Sequence, residues 1–177
     1  MTSDFYGEDL AAIQAEGFSP RIAEAARWLD AQAPAGPAFD IGCADGALLK
    51  CLRDQGREVR GCDLSATLVA KARAEGLEVQ HSDAADADIP PSALITATGE
   101  VLCYRNDDGQ DALAAALPRI AGALIPGGIF AFDLIGPDVP EARFWTEGAT
   151  WFVASDTTID AGVLTRRIVT FTKNTNN

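Results

Sequence analysis

The sequence is poor in cations and in metal-binding side chains. It has 3 lysines, 11 arginines and a single histidine, His81, against 26 acidic residues, for a net charge of −12. No run of Lys or Arg occurs; the densest basic stretch is the pair Arg166-Arg167. Such a chain repels nucleic acid and anionic lipid surfaces, so neither is expected as a partner. Four cysteines (Cys43, Cys51, Cys62, Cys103) form no C-x-x-C pair and have no histidine-rich surroundings. That removes the zinc ligand patterns, and no metal is expected. No apolar stretch reaches the roughly 18 residues of a membrane span. The opening Met1-Thr2-Ser3-Asp4 is polar and acidic and does not read as a secretory signal. Buried, reduced thiols in such a chain point to a cytoplasmic setting. Asparagine is scarce as well: of four, three are Asn174, Asn176 and Asn177.

What remains is a chain of 177 residues, 47% apolar and 23% charged, the composition of one globular domain with its own core. Alanine is abundant, with 32 residues. A small molecule is the partner this balance favours.

Segment 8–16 (EDLAAIQAE) has apolar residues at helical spacing and is closed by Gly17. Ser19-Pro20 then predicts a second helix, N-capped and with proline in its first position, running to about Gln32. From residue 38 onward short apolar runs alternate with helical patterns. Strands are predicted at 38–41, 58–63, 77–81, 93–98 and 128–135. Helices are predicted at 46–55, at 65–75 with Ser65 as N-cap, and at 109–124, where Pro118 implies a kink or two short helices. Such alternation means βαβ units and a parallel sheet. After residue 136 it stops. Segments 149–155 and 163–171 read as an antiparallel hairpin about Asp160-Ala161-Gly162. The fold class is therefore α/β: a Rossmann-like, doubly wound, mostly parallel sheet with N-terminal helices and a C-terminal hairpin. One domain is expected, divided into helices at 1–36, the sheet core at 37–136, and hairpin and tail at 137–177.

The informative stretch is Phe39-Asp40-Ile41-Gly42-Cys43-Ala44-Asp45-Gly46-Ala47, where a strand passes through small residues into a helix. Small residues allow close backbone approach to a ligand, and the helix start offers free N–H groups. A tight turn without a ligand reads the same way locally. A dinucleotide fingerprint, G-x-G-x-x-G, places its second and third glycines on Ala44 and Ala47, which argues against an oxidoreductase. The pattern D-x-G-x-G-x-G of S-adenosylmethionine sites is met by Asp40, Gly42 and Gly46, with Ala44 as the departure. Ala44 is tolerable there if its φ is negative. A carboxylate at Asp40 also suits a ligand carrying an ammonium and a sulfonium, where a pyrophosphate would be repelled. Asp63, about 20 positions beyond the turn, is placed either for ribose hydroxyls or to cap the next helix. Leu64 beside it can pack on an adenine face. Asp83 can accept from an adenine amine while the Ala84 N–H donates to the ring. The lone His81 reads as structural.

Taken in order, FDIGCADG, GCDLS, HSDA, LITATGEVLCY and LIPGGIFAFDL resemble the class I S-adenosylmethionine-dependent methyltransferases of small-molecule type, over roughly residues 37–135. The stretch 4–30 resembles the helical lid that precedes this fold in some members. The resemblance implies S-adenosylmethionine as cofactor and S-adenosylhomocysteine as product. It implies that Asp40 and the turn of Gly42, Cys43, Ala44 and Gly46 hold the methionine part, that Asp63 takes the ribose, and that Leu64, Asp83 and Ala84 take the adenine. Thr98, Gly99 and Glu100 would line the methyl-transfer side, and Tyr6 would contact the cofactor carboxylate. Glu100 is the candidate base, the other reading being a capping or water-bound carboxylate. Tyr104 and Arg105 are candidates for orienting the acceptor. Phe144, Trp145 and Trp151 form either a substrate wall or the packing of the hairpin. The family continues further past its fifth strand than the 44 residues that follow Asp133 here. The expectation is a C-terminally truncated member whose 128–135 strand is a sheet edge, covered by the hairpin or paired in a homodimer. Methyl transfer to a small molecule is the leading function; the alternative is a cofactor-binding or interaction domain that has lost catalysis.

Overall fold

A computed structural model describes residues 8–104 and 111–172, with side chains before residue 21 described only at Leu10 and Ile13. Helix α1 spans Glu8–Gln32, followed by β1 (Ala38–Ile41), α2 (Ala47–Asp54), β2 (Val59–Asp63), α3 (Ala66–Ala74), β3 (Glu78–His81) and β4 (Ser92–Ala97). A 3-10 turn covers Val101–Cys103, and α4 (Ala112–Ala123) leads directly into β5 (Leu124–Phe132). Three further strands complete the described chain: β6 (Ala142–Glu147), β7 (Trp151–Asp160) and β8 (Val163–Thr172).

The first five strands form a wholly parallel sheet in the order β3-β2-β1-β4-β5. The order reverses between β1 and β4, which is where a doubly wound fold opens a crevice at the carboxyl ends of its strands. All of β1 and β4 is buried, as expected of central strands covered on both faces. On one face Phe39, Ile41 and Ile95 pack with Ala116 and Ile120 of α4. On the other, Ala38 and Leu94 pack with Leu48 and Leu52 of α2 and with Ala26 and Leu29 of α1. Val69 and Ala72 of α3 join Leu49 and Val79 alongside.

Four local expectations change. The N-terminal segment is one helix of 25 residues, with Gly17 and Pro20 inside it. An interior proline removes one backbone donor and crowds the carbonyl four residues back, a cost of about 3 kcal/mol that the packing of the helix has to offset. One face of its second half packs on the core through Ala26 and Leu29, while Trp28 is exposed. Of the two alternatives at Pro118, two short helices are not what forms: α4 runs through it as one helix. Strand β5 begins four residues early and ends at Phe132, because residues 125–128 are taken up in a register shift against β4. Gly127 has φ +78 there, and a Cβ on Gly128 would come within 2.9 Å of the Ile125 carbonyl. The hairpin is present, turning through Ala161 (φ 47) and Gly162 (φ 77), but β6 pairs with it to make a separate antiparallel sheet, β6-β7-β8. It does not pair with the edge of β5; among the described residues no strand does.

Candidate active site

Asp40 occupies the third position of β1 and is 3% exposed. The Thr96 hydroxyl on neighbouring β4 donates to its Oδ1 at 2.7 Å. Burial, opposed in part by that hydrogen bond and reinforced by the charge of Asp63, pushes its pKa up to about 7.

The chain then turns through Gly42 (φ 71), Ala44 (φ 51) and Gly46 (φ 80) before α2. Both Gly42 N–H and Cys43 N–H donate to the Cys62 carbonyl, at 2.8 and 3.0 Å, which ties the turn to the end of β2. Space enforces glycine at two positions: a Cβ on Gly42 would run into the methyls of Val101, and one on Gly46 into Leu77. Ala44 departs from the expected negative φ. The turn needs the left-handed conformation at that position whatever residue fills it, and alanine adopts it at a cost.

Asp63 closes the same corner. Its Oδ2 accepts from Ala44 N–H at 2.9 Å and its Oδ1 from Ser65 N–H at 2.8 Å. The Ser65 hydroxyl in turn accepts from Leu68 N–H at 3.3 Å, the N-cap expected for α3. Burial raises the pKa of Asp63, while its backbone donors and His81 oppose the shift. Asp83 Oδ1 accepts from Ala85 N–H at 2.9 Å, which orders the turn after β3. His81 shares a hydrogen bond with the Leu64 carbonyl at 2.9 Å, the structural role expected of it. Cys43 and Cys62 are buried, and their thiols are raised by burial, to about 12 for Cys62. Leu64 and Ala84 are half-buried beside these groups.

Beyond β4, Thr98 and Gly99 are exposed and Glu100 is in the left-handed region at φ 66. Two residues that the sequence reading left unassigned organise this end. Asp133 accepts from Gly99 N–H at 2.9 Å and from Glu100 N–H at 2.7 Å. Arg166 of β8 donates to both Glu100 oxygens, Nη1 to Oε2 at 2.6 Å and Nη2 to Oε1 at 3.4 Å. Half-buried Tyr104 follows the 3-10 turn, its carbonyl accepting from Ala112 N–H at 3.1 Å. Asp40, Asp63, Asp83 and Glu100 thus stand at or just beyond the carboxyl ends of four adjacent strands.

The stretch that carries this sheet and these carboxylates matches a known family. Residues 39–132 match the family described as "Methyltransferase domain". The chain belongs to that family. The methyltransferase domain is 36% identical over 108 residues to a malonyl-[acyl-carrier protein] O-methyltransferase of Enterobacter lignolyticus, covering 59% of this chain and 41% of that protein. It therefore spans about two fifths of the length of that curated relative. Its fold is shared with the CcbJ methyltransferase of Streptomyces caelestis (TM-score 0.75, 18% identity, 98% of this chain and 83% of the other). It is shared too with an amino pentose methyltransferase of Micromonospora echinaspora solved with S-adenosylmethionine bound (TM-score 0.68, 19% identity, 94% and 82%).

Not every candidate of the methyltransferase domain joins the carboxylate row. Tyr6 and Arg105 lie outside the described residues. Trp145 is 64% exposed and stacks on Phe152 at 5.7 Å, and Phe152 meets Phe171 at 6.0 Å. Phe144, Trp145, Phe152, Arg167 and Val169 help to line a groove of about 290 Å³ that includes none of the strand-end carboxylates. Among the described residues no cluster of ligating side chains would hold a metal. No helix among them is long and apolar enough to cross a membrane.

Proposed function

We propose that the chain is an S-adenosylmethionine-dependent methyltransferase domain that delivers the methyl group to a small-molecule acceptor. The observation that carries this reading is Asp63, placed at the end of β2 with one oxygen on the Ala44 N–H of the small-residue turn. The donor set fits the cofactor. Each oxygen of Asp63 is seen to accept one N–H and has lone-pair capacity left for a ribose hydroxyl. The turn at 42–46 takes left-handed φ at Gly42, Ala44 and Gly46, and its residues carry small side chains that leave the backbone approachable. Asp40 and Asp83 add the acceptors that an ammonium and an adenine amine require, and a pyrophosphate would meet repulsion from the same row.

In this reading Asp40 and the turn of Gly42, Cys43, Ala44 and Gly46 hold the methionine part. Asp63 holds the ribose, while Leu64, Asp83 and Ala84 hold the adenine. Thr98 and Gly99 line the methyl-transfer side, and Tyr6 contacts the cofactor carboxylate. When bound, the cofactor supplies a methyl group already activated on a sulfonium. The protein's share is to align the acceptor with that carbon–sulfur bond and to exclude water. Glu100, ion-paired with Arg166, sets charge and orients the acceptor on the methyl-transfer side. Tyr104 sits on the same side to orient the acceptor. The names of the relatives, one acting on an acyl-carrier-bound malonyl group and one on an amino pentose, support a small-molecule acceptor.

The proposed organisation is a single domain with the divisions 1–36, 37–136 and 137–177. It is placed in the cytoplasm, and two copies could pair along the outer edge of β5. Light scattering tests the dimer, and a strictly monomeric species at high concentration removes it. Calorimetric titration with S-adenosylmethionine and with NAD tests the function. Binding of the first and not the second is expected; the reverse overturns the proposal.

A further inference from the structure

Arg166 lies 66 residues from Glu100 in sequence and on a different sheet, yet it grips the Glu100 carboxylate with two nitrogens. It is not a surface arginine that happens to reach an acid. In the β7–β8 register it sits opposite Thr157, and Ser155 and Val153 follow at alternate positions, so it shares the face of β7 on which all three are buried. Its neighbour Arg167 points to the other face, opposite Asp156. The pair is about one third exposed on each side, 32% and 35%. Glu100 itself is fixed by Asp133 through its own N–H and that of Gly99. The three-stranded sheet therefore places one positive charge on Glu100, just beyond the carboxyl end of β4 and beside Asp133.

We infer that Arg166 is a specificity-determining residue: by offsetting the charge of Glu100 it sets how strongly the site prefers the cationic cofactor over its uncharged-sulfur product. The inference rests on the proposed cofactor. S-adenosylmethionine and S-adenosylhomocysteine differ by one methyl and one positive charge at sulfur. An unbalanced carboxylate at the crevice favours the sulfonium and lets product leave more readily. A balanced one narrows the difference, so that product competes with cofactor and slows the site as it accumulates.

The test is calorimetric titration of the whole chain with each of the two compounds, on wild type, Arg166→Met, Glu100→Gln and Arg167→Met. For one unit charge near a partly exposed site, the expected change in the affinity ratio is about three- to tenfold. Arg166→Met should raise the preference for S-adenosylmethionine by that factor, Glu100→Gln should lower it by a similar factor, and Arg166→Lys should restore the wild-type ratio. Arg167→Met makes the same change in net charge on the opposite face and should leave the ratio within twofold. A ratio unchanged in Arg166→Met, or changed equally by Arg167→Met, overturns the inference and leaves the cofactor reading standing. Wild type that binds neither compound overturns both. Should Arg166→Met fail to fold, the comparison of Arg166→Lys and Glu100→Gln decides: equal ratios in wild type and Glu100→Gln refute it.

Discussion

Replacing Asp40 with asparagine is expected to make the domain more stable in mildly alkaline solution and less stable in acid. Asp40 is 3% exposed, and its pKa rises from 3.8 to about 7, chiefly through burial, with the Asp63 charge adding and the Thr96 hydrogen bond opposing. Between those two values the folded protein holds a proton that the unfolded chain has released. Stability therefore falls as pH rises through the window and levels off above about pH 7. The gap is roughly three decades, and at about 1.4 kcal/mol per decade the ionised carboxylate costs roughly 4 kcal/mol above the window. Asparagine keeps the shape and the acceptor for the Thr96 hydroxyl, and it never ionises. Its amide donors arrive in a buried position and cost about 1–3 kcal/mol where they find no partner. The net expectation is a gain of about 1–3 kcal/mol at pH 8, a large share of a typical domain's 5–15 kcal/mol, and a loss of similar size near pH 4.

Urea unfolding of both proteins at half-unit steps from pH 4.5 to 8.5 reads this out. The wild-type midpoint should fall with pH, the variant's should fall less steeply, and the two curves should cross. Asp63, also raised, acts in the same direction and leaves a residual slope in both. A variant displaced by a constant amount at every pH would refute the assignment of a buried, strained charge to Asp40. The same variant should bind S-adenosylmethionine at least tenfold more weakly, since its ammonium would lose a carboxylate partner, and that separates the stability argument from the binding one.

Ala44→Gly removes a Cβ from the left-handed region (φ 51) and should stabilise by about 0.5–1 kcal/mol after the added entropy of the unfolded chain, a rise of roughly 2 °C in calorimetric Tm. Arg57→Met should cost about 3 kcal/mol in urea unfolding. Its guanidinium is buried on the Asp30 side chain and on the carbonyls of Asp30, Ala33, Pro34 and Gly36, all of which would lose their donor. Ser65→Ala deletes the N-cap of α3 and should cost about 1 kcal/mol, most visible as faster amide exchange at Leu68.

The parallel core was legible because its signals are local. A four-residue apolar run, a turn of small residues and a capped helix repeat within some 20 residues each, and the burial of β1 and β4 follows from the same runs. Asp40, Asp63 and Asp83 were legible for a related reason: each lies in or just after the last two residues of a strand, so its place on the sheet is fixed once the strand order is. Long-range packing hid the rest. The break expected at Gly17 and Pro20 is local chemistry overruled by a helix whose later turns are locked into the core through Ala26 and Leu29. Strand β6 reads poorly as a strand because all six of its residues are exposed, leaving no buried face to give a period of two.

Ala44, Asp133 and Arg166 show where motif reading stops. The motif names which residues stand in the turn but not the backbone angle each must take, so an alanine could be accepted there on the condition of a negative φ that the turn does not grant. Asp133 reaches back 34 residues to hold Gly99, and Arg166 crosses between sheets to hold Glu100. Neither link leaves a spacing that a single sequence displays, because its two ends belong to elements whose adjacency is decided by the whole fold. The expectation for Glu100 accordingly held two readings, a base or a capping or water-bound carboxylate, and neither named a partner. Seen alone it is a carboxylate at a strand end; seen with Arg166 it is half of an ion pair, and its chemistry becomes that of the pair.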